Sequence, residues 1–264
     1  MTDLILMMAL NLAAVTLVMI LFWLWSLPLK DVSIVDIAWG ANGALIAVIS
    51  FLLASGAFPR KLLLTGMAGF WGVRLAVHIA VRKRGKGEDF RYAAMRENHG
   101  DAFPRRSLYR IFLLQALLIW AISMPVMVGQ HASTPPTLTL LDYLGLAVFI
   151  LGFGIEVLAD QQLKAFLSRP ENQGKVMDRG LWRYSRHPNY FGESLIWWGI
   201  YLAAAATPWG WVTVFSPLLM TWFLLKVSGV PLLEEGLAER KEGYREYMER
   251  TSVLVPLPPR DGRA

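Results

Sequence analysis

The sequence contains no cysteine, and charged residues make up only 17% of its 264 residues. The absence of cysteine excludes disulfides, thiol nucleophiles and cysteine-ligated zinc. Soluble domains carry about a quarter charged residues, so the charge content is low for a soluble enzyme. Two stretches, Leu4–Trp25 and Leu195–Leu225, hold no charged residue at all. Uncharged apolar runs of this length are typical of membrane spans.

Seven apolar stretches are long enough, or nearly so, to cross a bilayer as helices. They predict an all-α, polytopic integral membrane protein with a single membrane domain over residues 1–264 and a cytoplasmic tail over 226–264. The first stretch has no basic segment before it and is too long for the apolar part of a signal sequence, so we expect it to remain as a span. The predicted spans are residues 4–27, 34–53, 62–81, 108–128, 140–158, 190–206 and 209–225.

Lysine and arginine are concentrated in three segments, which lie between spans three and four, between spans five and six, and after span seven. Cytoplasmic loops carry an excess of these residues. Seven spans put all three segments on one side, so we expect the N-terminus outside and the C-terminus in the cytoplasm. Arg60 and Lys61 fall on the opposite side and disagree with this orientation. The net charge of +6 then mainly reflects topology, and we expect no nucleic-acid partner.

Several ionisable residues lie inside or beside predicted spans, where a charge is costly and usually faces a cavity or a partner. Asp36 is in the second span, although it also fits an interfacial position at the start of its helix. Arg74 and His78 are four residues apart and share one face of the third span. Arg74 has no nearby helix end from which to reach water. It therefore predicts a polar, anionic site inside the protein.

The segment Gly180–Glu193 is the richest in polar and basic side chains. Pro188 disfavours helix for the residue before it and suits a first helical turn, so we expect a loop that leads into a helix. Free N–H groups at such a helix start favour anions, and Arg186 and His187 add positive charge. The segment predicts a phosphate-bearing or carboxylate-bearing ligand at the cytoplasmic end. A basic interfacial loop, anchored by its aromatic residues, fits the same pattern.

Signatures of other site classes are missing from the sequence. It has no glycine-rich dinucleotide turn between a strand and a helix, no P-loop, no HExxH and no GxSxG. The four histidines, at positions 78, 99, 131 and 187, have no spacing typical of a metal site. We therefore expect no metal.

Four motifs together resemble the steroid 5α-reductase superfamily, in particular a bacterial branch of unknown function. They are Glu88–Tyr92, Arg186–Glu193, Trp197–Gly199 and Ser228–Glu234. The resemblance covers about residues 36–256 and implies a seven-helix enzyme in the bacterial inner membrane with NADPH as its cofactor. It also implies hydride transfer to the C=C bond of an α,β-unsaturated carbonyl lipid, with steroid-like compounds among the substrates.

The resemblance also implies roles for single positions. Asn189, Glu193 and Asp160 match residues that bind NADPH, and Asp36 matches the acid that polarises the substrate. Val35-Asp36 stands where the steroid enzymes have a Gln-Glu pair, so the resemblance leaves the steroid specificity open. The proton donor remains open among three residues: Asp36, His78 and Tyr92. The remaining predicted cofactor-binding residues are Arg74, Arg84, Lys86, Lys164, Lys175, Arg186, His187 and Tyr190.

Two other functions fit parts of the sequence. Membrane methyltransferases of the isoprenylcysteine carboxyl and phospholipid types bind S-adenosylmethionine, and their Arg-His-Pro-x-Tyr-x-Gly element and Glu-Glu tail match Arg186–Gly192 and Glu234-Glu235. The Glu88–Tyr92 motif and the many basic residues favour the reductase. A transporter is the third interpretation, but no repeat relates the two halves. In each enzyme a hydrophobic lipid would enter from the bilayer. The oligomeric state is left open.

Overall fold

The computed structural model describes residues 2–227 and 229–260, apart from the side chains of Leu232 and Glu235. Within these residues every regular element is a helix, which confirms the all-α prediction. Ser228 of the Ser228–Glu234 motif lies outside the described residues, and so do Met1 and residues 261–264 of the predicted domain.

Most helices follow one another with short connections, and the long exception is the segment 168–187. Three-residue to five-residue 3₁₀ turns lie at Val32–Ile34, Gly180–Arg183 and Gly210–Val214. A π-helical segment, Leu108–Leu113, joins two of the α-helices. The α-helices are α1 Thr2–Leu29, α2 Val35–Leu53, α3 Phe58–Lys83, α4 Phe90–His99, α5 Phe103–Ser107, α6 Leu114–Ile122, α7 Met124–His131, α8 Leu140–Leu167, α9 Pro188–Ala205, α10 Phe215–Lys226, α11 Val230–Arg240 and α12 Tyr244–Arg250.

The longest helices are candidate membrane spans. In the part of the chain that the structure describes, four stretches are long and apolar enough: Thr2–Leu29, Val32–Leu53, Phe58–Lys83 and Leu140–Leu167. A fifth arises if Phe90–Ile122 and Met124–His131, bent by 42° at their break, form one span. These stretches support a multi-pass membrane protein. The predicted sixth span falls on α9, which is not among them, and the seventh falls on the shorter apolar helix Gly210–Lys226. Seven spans and the side of each terminus therefore stay predictions.

Large apolar side chains on these helices face outward. Leu52 on α2 and Phe70 on α3 are each 73% exposed. Exposed apolar surface of this kind needs a covering in water. A bilayer provides that covering, so the exposed side chains agree with spans that contact lipid.

The described residues form two compact units. The first comprises Met1–Tyr143 and Ile200–Ser216, and in it α2 packs along α3. Its core includes the fully buried Trp71, Leu64 and Ile46.

A buried ion pair lies within the first unit. Arg60 Nε donates to Asp142 Oδ1 at 2.8 Å, and neither side chain is exposed. Arg60 also donates to the carbonyl oxygens of Pro135 and Thr137. Asp142 neutralises Arg60 inside the protein. Arg60 therefore should not be counted among the loop charges that indicate the orientation of the chain in the membrane. That accounts for one of the two basic residues that disagreed with the predicted orientation.

The second unit comprises Leu144–Gly199 and Pro217–Ala264, and it includes most of α8, the first part of α9 and the helices of the tail. α9 approaches α8 very closely at Gly192. A Cβ atom on Gly192 would lie 2.6 Å from the backbone nitrogen of Glu156 and from the carbonyl oxygen of Gly152. Only glycine permits this approach, which sets the first turns of α9 against α8.

Candidate functional site

The first polar cluster of the structure lies where α2 and α4 begin, in the first unit. Asp36 accepts a hydrogen bond from the Tyr92 hydroxyl at 3.0 Å and another from Arg91 Nη2 at 3.2 Å. Both carboxylate oxygens of Asp36 are therefore engaged. Tyr92 is buried, whereas the side chains of Arg91 and Asp36 are 24% and 25% exposed. The structure thus joins two of the three predicted proton-donor candidates across 56 positions of sequence.

The Glu88–Tyr92 motif is fixed to the start of α2 by its acidic side chains. Glu88 accepts the N–H of Val32 at 2.8 Å and pairs with Arg96 at 2.8 Å. Asp89 caps α4 by accepting the N–H of Arg91, and it also pairs with the Arg91 guanidinium at 2.8 Å. Burial alone would raise the pKa of Asp89, but the hydrogen bonds from Arg91 outweigh burial and lower it. The motif therefore positions Arg91 and Tyr92.

A second set of contacts holds the turn before α2. Asp31 accepts the N–H of Ser33 at 3.0 Å and pairs with Lys83 Nζ at 2.6 Å. Lys83 also donates to the Ser33 hydroxyl, and that hydroxyl accepts the N–H of Asp89. Burial would raise the pKa of Asp31, but its bonds to Lys83 and Ser33 outweigh burial and lower it. Our sequence reasoning missed this set, although Asp31-Val-Ser33 is an ordinary capping pattern.

The other predicted residues of the first unit are placed as follows. Arg74 and His78 lie one turn apart on α3 and are half-buried. Arg84 and Lys86 are exposed in the connection between α3 and α4. The cofactor contacts predicted for Arg74, Arg84 and Lys86, and the catalytic role predicted for His78, stay predictions.

The second polar cluster is in the second unit and is built around Glu234. Arg186 donates to Glu234 from Nε at 2.7 Å and from Nη2 at 3.1 Å. His187 Nε2 lies 2.8 Å from Glu234 Oε1. The three side chains are between 5% and 9% exposed. Burial would raise the pKa of Glu234, but the hydrogen bond from His187 and the charge of Arg186 outweigh burial and lower it.

The Glu234 cluster also holds the C-terminal segment. Arg186 Nη1 donates to the Met248 carbonyl at 2.5 Å, and the Arg186 N–H donates to the Ser252 carbonyl at 2.8 Å. The Tyr247 hydroxyl donates to the Trp182 carbonyl. Each guanidinium nitrogen of Arg186 is therefore bonded within the chain. These bonds give Arg186 and His187 a structural role, and the cofactor contact predicted for both stays a prediction.

Asp160 and Asn189, both predicted to bind the cofactor, meet in the second unit. Asn189 Nδ2, at the start of α9, donates to Asp160 Oδ1 at 3.4 Å across 29 positions of sequence. The Asn189 Oδ1 atom is buried and accepts no hydrogen bond from the described residues. Glu193, one turn along α9, is 8% exposed. Two of the three residues that the resemblance gives to the cofactor are thus in contact, and the third is on the same helix.

The turn that leads into α9 requires a glycine. Gly180 has a φ of +59°, and a Cβ atom there would lie 2.6 Å from Gln162 Oε1. That same oxygen accepts the N–H of Leu181 at 2.9 Å.

Tyr190, also predicted to bind the cofactor, stacks on His187 with ring centroids 5.4 Å apart. The predicted phosphate ligands of this unit, Lys164 and Lys175, are both exposed.

Comparison with known proteins gives a family and one distant relative. The family model described as a protein of unknown function (DUF1295) matches residues 22–251, a range that contains both polar clusters. An uncharacterized protein of Schizosaccharomyces pombe is 24% identical over 267 residues, which cover 89% of this chain and 75% of that protein. No solved structure matches the chain significantly.

Proposed function

This chain belongs to the DUF1295 family, and we propose that it is an NADPH-dependent membrane reductase of the steroid 5α-reductase superfamily. Its substrate is an α,β-unsaturated carbonyl lipid that enters from the bilayer. The observation that carries the proposal is the contact of Asn189 with Asp160 at 3.4 Å. These residues come from separate helices, and the resemblance gives both to the same cofactor.

The side chains around Asn189 fit a nucleotide. A buried amide oxygen without a hydrogen bond is costly, and a hydroxyl or carboxamide N–H of a ligand would satisfy Asn189 Oδ1. Asp160 would accept a ribose hydroxyl, and the exposed Lys164 and Lys175 would attract phosphates. When bound, NADPH supplies the hydride that is added to the substrate β-carbon.

The carbonyl oxygen of the substrate gains negative charge during the reaction, and a well-placed hydrogen-bond donor stabilises that charge. We assign this role to the Tyr92 hydroxyl, because Asp36 accepts hydrogen bonds at both of its oxygens. Asp36 holds the hydroxyl in place until the substrate binds. The hydroxyl then turns its hydrogen from Asp36 to the substrate oxygen, and Asp36 keeps its hydrogen bond from Arg91. The α-carbon takes its proton from water.

A methyltransferase that uses S-adenosylmethionine is the second candidate. The contacts of Glu234 with Arg186 and His187 support it, because they join the two sequence elements that define those enzymes. The same contacts leave Arg186 engaged within the chain. S-adenosylmethionine has no phosphate for the exposed lysines to bind. The reductase is therefore the better supported of the two functions.

The test is the identity of the bound nucleotide. The full-length protein is purified in mild detergent, its retained nucleotide is identified by mass spectrometry, and binding of added NADPH and S-adenosylmethionine is measured by calorimetry. We expect NADP(H), and we expect Asn189→Ala to weaken NADPH binding about 5-fold to 150-fold, since a lost hydrogen bond to a buried group is worth about 1–3 kcal/mol.

Asn98→Ala is the matched control, because Asn98 is an exposed asparagine on α4. It should leave NADPH binding unchanged. Retention of S-adenosylhomocysteine, or full NADPH affinity in the Asn189→Ala protein, would overturn the proposal.

A further inference from the structure

A cavity of about 400 Å³ lies in the second unit, between the Gly180–Arg183 turn and the segment that follows α12. Four arginines line it together with one carboxylate, Asp178. The arginines are Arg179, Arg183, Arg250 and Arg260. None of the five belongs to the predicted cofactor or catalytic residues, so the proposed reductase function assigns this cavity no role.

The lining is strongly positive. Asp178 Oδ2 pairs with Arg250 Nη2 at 2.6 Å, and both side chains are more than a third exposed. Four arginines and one aspartate give the lining a formal charge of +3. Guanidinium groups bind phosphate oxygens through paired N–H donors. The charge of the cavity therefore favours an anionic ligand, and its paired donors fit a phosphate group.

The cavity lies beside the end of a candidate span. The predicted span 140–158 of α8 covers about 29 Å at 1.5 Å per residue, close to the thickness of the hydrocarbon core. The α8 turns after Leu158 therefore reach the headgroup layer. Trp182 Nε1 donates to the Ala159 carbonyl at 3.0 Å, and Trp182 packs with Phe166. These contacts hold the arginine-bearing turn beside the turns of α8 that follow the predicted span.

Exposed apolar side chains flank the arginines. Tyr184 follows Arg183 and is 42% exposed, and Val255 and Leu257 are 50% and 53% exposed. The Leu257 N–H donates to the Tyr184 carbonyl at 3.0 Å, so the two segments run side by side. A small soluble anion such as inorganic phosphate has no apolar part that would contact these side chains. A phospholipid presents its phosphate directly above acyl chains, which such residues contact.

We propose that this cavity binds the headgroup phosphate of an anionic phospholipid and so fastens the segment after α12 to the membrane surface. The inference rests on the cavity, its charge and its place beside α8. It does not depend on the reaction that the protein catalyses.

Native mass spectrometry of the full-length protein tests the proposal. The protein is mixed in detergent with equal amounts of dioleoylphosphatidylglycerol and dioleoylphosphatidylcholine, and the lipid that it retains is counted. We expect preferential retention of phosphatidylglycerol. The double variant Arg179→Gln/Arg183→Gln should lower that retention at least tenfold. The control Arg105→Gln/Arg106→Gln removes the same charge from exposed residues of α5 and should retain the lipid.

Three outcomes would overturn the proposal. Undiminished lipid retention in Arg179→Gln/Arg183→Gln would exclude the cavity, and an equal loss in the control would show only a general attraction to basic surface. Displacement of phosphatidylglycerol from the unaltered protein by inorganic phosphate or NADPH would assign the cavity to a soluble ligand. If the double variant does not fold, as judged by circular dichroism, the single variant Arg183→Gln and this displacement experiment give the answer.

Discussion

Asp36 in the first unit and Glu234 in the second are each the carboxylate at the centre of a polar cluster, and each meets an arginine and a second side chain. They differ in exposure. The side chains of Asp36 and Arg91 are about a quarter exposed, and Tyr92, which donates to Asp36, is buried beside them. Glu234 is less than a tenth exposed, and so are both of its partners.

We expect this difference between a cluster that binds a ligand and a cluster that holds the chain together. A buried ion pair contributes little net stability over apolar residues, but the removal of one partner strands a buried charge. A partly exposed cluster tolerates such changes better. We therefore expect substitutions around Asp36 to change the reaction, and substitutions around Glu234 to change stability.

The largest expected effect is on catalysis. Tyr92→Phe removes the hydroxyl that we assign to the substrate oxygen, and it should lower kcat/KM for NADPH-dependent reduction of a lipid enone by about 10²–10³-fold, the usual cost of removing one donor to a developing oxyanion. The measurement is the rate of NADPH consumption in detergent or nanodiscs.

Tyr247→Phe is the matched change in the second unit. Tyr247 is buried, and its hydroxyl donates to a carbonyl oxygen of the chain. It should cost about 1 kcal/mol of stability and leave kcat/KM nearly unchanged. If the two variants exchanged these effects, the division of roles between the clusters would be wrong.

The next effect is on stability. Glu234→Ala leaves Arg186 buried without its carboxylate and should lower the free energy of unfolding by about 3–5 kcal/mol. Urea unfolding in detergent, followed by tryptophan fluorescence, measures it. Glu242→Ala, at an exposed glutamate of the same tail, is the control and should change little.

A double substitution sharpens this test. Arg186→Met/Glu234→Leu removes both charges and should recover part of the lost stability, because apolar residues of similar size often replace a buried ion pair without cost. A double variant as unstable as Glu234→Ala would mean that packing, and not the stranded charge, dominates.

Local patterns in the sequence were enough for several of these features. The apolar runs predicted the first five candidate spans, and Pro188 marked the start of α9, where the structure begins that helix. Asp36 stands out locally, because it is ionisable within an apolar run. Tyr92, Asp160 and Asn189 are named through the family resemblance, and the roles of all four residues stay predictions.

The long-range pairs could not be found in this way. Glu234 lies 48 positions from Arg186, and Asp142 lies 82 positions from Arg60. Periodicity and capping patterns describe a single helix, whereas these ion pairs depend on which helices pack together. From the sequence, Arg186 was predicted to contact the cofactor. In the structure its guanidinium group donates hydrogen bonds to Glu234.

A smaller effect tests the packing that places Asn189. Gly192→Ala puts a Cβ atom within 2.6 Å of the α8 backbone and should cost about 1–3 kcal/mol of unfolding free energy, as overpacking usually does. It should also weaken NADPH binding, because α9 carries Asn189 and Glu193. Gly154→Ala, where a Cβ atom meets nothing within 4 Å, should be neutral or slightly stabilising. Equal effects of the two variants would contradict the close approach of α8 and α9.

The smallest expected effect is on the dependence of stability on pH. It distinguishes Glu234 in the second unit from Asp31 and Asp89 in the first, because their contributions to stability are lost at different pH values. A carboxyl whose pKa is lowered by folding stabilises the protein above its unfolded pKa, and this stabilisation is lost as the pH falls through the folded pKa. Glu234 loses its contribution below about 4.5, whereas Asp31 and Asp89 lose theirs below about 3.8, since folding lowers the pKa of all three. Urea unfolding at a series of pH values should therefore show a shallower acid decline in Glu234→Gln and in Asp89→Asn than in the unaltered protein, and the decline that Glu234 contributes should begin at the higher pH. A decline in Glu234→Gln as steep as in the unaltered protein would mean that Arg186 and His187 do not favour the charged form of Glu234.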